Sequence, residues 1–93
     1  MSVIIEIPSA LQKYTQNREE IQVEAKTVQQ AFEALCKQHS ALKQHLYDEQ
    51  GQVRSFINVY VNDEDIRYAN HLATALQDGD CLQIVPSIAG GNF

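Results

Sequence analysis

The stretch from Thr27 to His39 carries a sustained helical period, and it limits what this chain can fold into. Val28, Ala31, Phe32, Leu35, Cys36 and His39 fall near one face at helical spacing. Thr27-x-x-Gln30 opens it as a capping box: the Thr hydroxyl can accept the Gln30 backbone N–H, and Gln30 can reach back. A single helix with one apolar stripe needs another layer to bury it, and the flanking segments read as strands. Val3–Ile7 alternates, with Val3, Ile5 and Ile7 in one phase, and Pro8 ends it. Glu20–Ala25 alternates with Ile21, Val23 and Ala25 in one phase, so the two segments form a hairpin with a long loop that Leu11 and Tyr14 pin to the body.

Beyond the helix, Leu42 and Leu46 predict a further turn or two of helix, and Asp48–Gly51 a turn. Phe56–Val61 is the strongest strand signal, with Ile57, Val59 and Val61 inward and Phe56, Asn58 and Tyr60 in the opposite phase. Asn62–Asp65 reads as a turn, Ile66–Tyr68 as a short extended piece, and Leu72, Ala75 and Leu76 as a helical turn capping the core. After the turn Asp78-Gly79-Asp80 comes a last strand, Leu82–Val85, closed by Pro86. This order predicts an α+β fold: a mixed four- to five-stranded sheet with one main helix packed on one face, the first and last strands parallel neighbours. That is the β-grasp (ubiquitin-like) arrangement. A ferredoxin-like sheet would need a second full helix, and residues 68–77 are too few for one. The domain is expected over residues 1–86, with a flexible tail at 87–93.

Composition narrows function. The 93 residues make one domain. Twelve acidic against seven basic residues leave a net charge of −5, which disfavours binding a row of nucleic-acid phosphates. Residues 48–80 hold seven acids against Arg54 and Arg67, so the excess is concentrated there. The start, MSVIIEIPSA, lacks the pattern of a signal peptide, and no run approaches the length of a membrane span. A cytoplasmic chain with Cys36 and Cys81 reduced is expected, with no nucleic-acid or membrane partner.

Candidate chemistry in the body is sparse. His39, His45 and His71 sit in no metal-binding frame, Cys36-x-x-His39 stands alone, and Asp63-Glu64-Asp65 reads as a solvated turn, so no metal site is expected. Cys36 faces the core. Cys81 falls in the outward phase, with Asp78 and Asp80 expected to disfavour its thiolate. The tail differs: Ser87-Ile88-Ala89-Gly90-Gly91-Asn92-Phe93 carries two adjacent glycines, and residues without a Cβ let a backbone thread a narrow channel.

On the stretches Phe56–Arg67, Leu72–Leu76, Asp78–Asp80 and Ile84–Gly91, the sequence resembles the MoaD/ThiS family of ubiquitin-like sulfur carrier proteins, over almost its whole length. Val61-Asn62-Asp63-Glu64-Asp65-Ile66-Arg67 looks most like the branch that carries sulfur for cysteine biosynthesis. The resemblance implies a chain that is not itself an enzyme. An ATP-dependent adenylating enzyme activates the carboxylate of Gly91, and a sulfur donor turns it into a thiocarboxylate. A cysteine-synthase-like enzyme carrying pyridoxal phosphate then uses the thioacid, and a zinc JAMM-type metalloprotease releases the product. No cofactor is implied on this chain. Because Asn92 and Phe93 follow Gly91, the resemblance also implies trimming by a JAMM-type protease, and it leaves cysteine, homocysteine, methionine or a thioacid metabolite open as the product. Ile88, Ala89 and Gly90 are expected to enter the partner's channel. Strand phase adds a docking patch of Phe56, Tyr60 and Val85 on the open face of the sheet. Two other readings stand beside the carrier: a protein modifier joined to lysines through Gly91, and a binding module that uses the intact Asn92-Phe93 end.

Overall fold

The computed structural model describes residues 1–86. Five strands build one mixed sheet: β1 (Ser2–Glu6), β2 (Glu20–Glu24), β3 (Ile57–Val61), β4 (Glu64–Asp65) and β5 (Cys81–Pro86), in the order β2-β1-β5-β3-β4. β1 and β2 form an antiparallel hairpin, with Val3 opposite Val23 and Ile5 opposite Ile21. β5 enters between β1 and β3, parallel to β1 with Leu82 beside Ile5, and antiparallel to β3 with Ile84 beside Val59. With one main helix on the sheet, this is the ubiquitin-like β-grasp.

Helix α1 (Val28–Gln38) starts as the sequence predicts, with the Gln30 backbone N–H donating to Thr27 Oγ1 (3.2 Å). The second half of the box is displaced by one residue: the Gln30 side-chain oxygen accepts from the Lys26 backbone N–H (2.9 Å). Val28, Ala31, Phe32 and Leu35 are wholly buried, against Val3, Ile5, Val23 and Leu82 in one core cluster. Cys36 and His39, at the end of the same stripe, are half-buried. A turn of 3-10 helix (Ser40–Leu42) and the short α2 (Lys43–Leu46) follow, delivering Leu42 and Leu46 to the core. Among the described residues no helix is long and apolar enough to cross a membrane.

The connections depart from the sequence reading in four places. The β1–β2 loop contains a 3-10 helix (Ser9–Tyr14), held at its end by Thr15. Thr15 is fully buried, and its hydroxyl reaches the carbonyls of Gln12 (3.1 Å) and Arg18 (3.0 Å). Strand β4 occupies Glu64–Asp65, inside the expected turn, because Asn62 and Asp63 both adopt positive φ (50° and 73°) and reverse the chain in two residues. Ile66–Tyr68 is then a 3-10 turn instead of an extended piece, because the Asp65 carboxylate caps it by accepting the Arg67 N–H (2.8 Å). The helical turn expected around Leu72–Leu76 is a 3-10 turn at His71–Ala73. Ala75 then pairs with Thr27 and Leu76 donates to the Lys26 carbonyl (2.8 Å), so this segment runs extended against the entrance of α1.

Candidate functional site

The end of β5 is where the described chain meets the tail. Pro86 pairs with Ile57 at the start of β3, while on the β1 side the pairing stops at Glu6 and Gln83, so the last residues of β5 are paired on the β3 side. Ile88, Ala89, Gly90, Gly91, Asn92 and Phe93, the tail residues singled out by sequence, lie outside the described residues.

Beside Pro86 runs a groove of about 700 Å³. Leu11 and Tyr14 of the β1–β2 loop form one wall, and Phe56, Ile57 and Pro86 the other. Tyr14 stacks on His45 of α2, with ring centroids 4.2 Å apart, and the Lys13 ammonium stands 5.3 Å from the Tyr14 ring centre. Arg54 completes the lining, its Nε and Nη2 donating to the Gln44 carbonyl at 3.1 and 3.0 Å.

The three side chains expected to share a docking patch lie on β3, on β5 and in the turn before β3. Tyr60 and Val85 lie on β3 and β5, opposite Gln83 and Asn58 respectively, and both are half-buried. Phe56 precedes β3, in a turn closed by the Ile57 N–H donating to the Arg54 carbonyl (3.0 Å), and it lines the groove at 38% exposure. Phe56 stands in the turn before the strand and is exposed next to the buried Ile57, as alternation predicts. Ile4, exposed at 37%, is an apolar residue of the sheet that the sequence reading missed. Its signal was present: between the buried Val3 and Ile5, it has to point to the other side of β1.

The protonated thiol of Cys81 is favoured, but not by the acids that the sequence reading named. Its thiol donates to Glu6 Oε2 (2.9 Å), across the parallel β1–β5 pairing. Burial, then the Glu6 carboxylate, pushes the thiol pKa up to about 11. Asp78 and Asp80 are engaged elsewhere. Asp78 accepts the Ser2 N–H (2.8 Å), while Asp80 accepts from the Gln77 N–H and the Asn62 amide, each at 2.8 Å. On the helix side, burial raises the Cys36 thiol against a smaller opposing effect of Lys43. Burial, with Cys36 and Glu33 nearby, pushes Tyr47 up to about 12. Asp65 forms a two-point ion pair with Arg67, with Nη2 at 2.7 Å from Oδ2, which holds its carboxyl below the usual range.

The sequence pattern of the ThiS family matches residues 5–91. The chain belongs to the ThiS family. Its match ends on Gly91, leaving Asn92 and Phe93 beyond it. Among individual relatives, the sulfur carrier protein CysO of Mycobacterium tuberculosis is 36% identical over 93 residues, covering 98% of this chain and 100% of that protein. Small archaeal modifier protein 3 of Haloferax volcanii is 34% identical over 65 residues, 70% of each chain. A chain in the crystal structure of the Amycolatopsis orientalis BexX/CysO complex superposes with a TM-score of 0.86 at 36% identity, covering 96% of this chain and 99% of that one. Against these ThiS-family likenesses, the described residues supply a five-stranded sheet whose strand β5 ends where the Gly-Gly tail begins.

Proposed function

We propose that this chain is a sulfur carrier protein that works through Gly91. The observation that carries the reading is the family match over residues 5–91: it runs from the end of β1 through β5 and stops on the second glycine of the tail. The likeness to a protein named as a sulfur carrier, over its full length, supports the same reading.

Gly91 has no free carboxylate while Asn92 is attached, so the first step is hydrolysis of the Gly91–Asn92 peptide bond by a protease of the JAMM type. The freed carboxylate attacks the α-phosphorus of ATP on an adenylating partner, releasing pyrophosphate and forming an acyl-adenylate. A sulfur nucleophile then displaces AMP, and the glycine carries a thiocarboxylate. This order follows from leaving-group chemistry, because a carboxylate oxygen departs only once it is esterified to phosphate. The thioacid donates its sulfur in the biosynthesis of cysteine or a related metabolite, on an enzyme such as a cysteine-synthase homologue. ATP, pyridoxal phosphate and zinc all belong to the partners, and this chain acts as their macromolecular substrate.

Intact mass of the chain purified from its own host, with thiols blocked, tests the reading. Loss of Asn plus Phe together with replacement of one oxygen by sulfur is the expected result. A full-length, unmodified mass under sulfur demand sinks it. Gly91→Ala should block the sulfur gain while leaving the unfolding midpoint unchanged. A chain ending at Gly91 should bypass the protease, whereas a binding module that uses the intact end would lose its function. The likeness to an archaeal modifier favours a second reading, conjugation of Gly91 to lysine amines. Isopeptide-linked adducts in extract, with no thiocarboxylate, would establish that one instead.

A further inference from the structure

We infer that the groove beside Pro86 is a docking site for an acidic, aromatic-bearing segment of the protein that takes the tail. The proposal rests on the carrier reading above. Three observations carry it. First, the charged side chains lining the groove, Lys13 and Arg54, are both cationic, and no acidic residue is among its described lining, on a chain whose net charge is −5. Second, the walls between those cations are apolar and aromatic, with Phe56 left 38% exposed beside Tyr14 and Leu11. Third, Pro86 lines the groove and is joined directly to the tail, so an enzyme engaging the next few residues is brought close to the groove.

The chemistry of the occupant follows from this pairing. Arg54 is held in place by the Gln44 carbonyl, which uses two of the five guanidinium N–H groups and leaves three to meet a carboxylate. Lys13 stands over the Tyr14 ring at the other wall. A carboxylate next to an aromatic or aliphatic side chain satisfies both features. A polyphosphate would meet the repulsion of the acidic body, and a purely apolar segment would leave the cations unused. Exposed ion pairs contribute little individually, so the segment binds weakly by itself. Held close by the tail, it acts at an effective concentration in the millimolar range, where weak contact is enough to orient the tail.

The test uses the full-length chain, isotopically labelled, with two blocked tetrapeptides: Asp-Phe-Asp-Leu and its basic counterpart Lys-Phe-Lys-Leu. The acidic peptide should move the amide resonances of Lys13, Tyr14, Arg54 and Phe56, saturating at about millimolar concentration. Lys13→Glu should weaken it by about threefold or more and shift the preference toward the basic peptide, with Lys13→Ala falling between. Lys13 is the residue to change because its side chain is exposed, so the fold survives. Equal shifts with both peptides, shifts confined to the sheet around Ile4 and Tyr60, or none at all overturn the proposal. So do two other occupants: the chain's own tail, revealed if truncation after Gly91 moves the same resonances without peptide, and a second copy, revealed if dilution alone moves them. A chain that gains sulfur at Gly91 but shows no groove response overturns the docking site alone. Groove shifts in a chain that never gains sulfur uphold the peptide site and overturn the carrier reading.

Discussion

At the scale of single residues, the body of this protein keeps its potentially reactive groups quiet. Cys81 is the clearest case. Partial burial and the Glu6 carboxylate both favour the protonated thiol, so the thiolate is scarce at neutral pH. Iodoacetamide should therefore label Cys81 slowly at neutral pH, with the rate rising through about pH 11. Glu6→Gln removes the charge but not the burial, so its rate profile should move to lower pH without reaching that of a free cysteine. Superimposable profiles for the two proteins would remove Glu6 from the account. Asp65 and Arg67 show the opposite sign of the same physics: the ion pair favours the charged carboxylate and fixes the turn that follows β4.

At the scale of elements, the termini of α1 decide more than its length. An eleven-residue helix is marginal alone, so it depends on its buried stripe and on its caps. Thr27 and Gln30 satisfy two backbone donors between them, those of Gln30 and Lys26. Thr27→Ala should cost about 1 kcal/mol of unfolding free energy, seen as a lower urea midpoint with an unchanged slope. No change in midpoint would show the cap to be dispensable. The β3–β4 hairpin shows where pattern reading fails. Asn62-Asp63 was recognisable as a turn, but a two-residue reversal returns the chain at Glu64, earlier than a four-residue turn would.

At the scale of the whole molecule, three acids have pKa values raised by folding: Cys36, Cys81 and Tyr47. Each stays protonated in the folded state after its unfolded counterpart has lost the proton. The stabilisation is therefore complete below the unfolded values and is lost as pH rises through the folded ones. For Cys81 that window runs from 9.0 to about 11, and for Tyr47 from 10.0 to about 12. Urea midpoints should fall steadily across this range, and a Cys81→Ala chain should lose less of its own stability over the Cys81 part of it. A flat profile would contradict the shared assignment. The β-grasp was legible because its evidence is local: a period of two in β1, β2, β3 and β5, and a helical period in α1, each set by which side of one element must be buried. The Gly-Gly tail is visible as a run of residue types, and the chemistry proposed for it comes from the family resemblance. What sequence could not show was which groups meet when distant segments are brought together. Glu6 faces Cys81 across 75 residues only because β5 inserts parallel to β1. Lys13, Arg54 and Phe56 surround Pro86 only because the loop after β1 and the turn before β3 close on the same end of the sheet. Periodicity assigns a side chain to a face of its own element, and its neighbours across the molecule are decided by strand order and register.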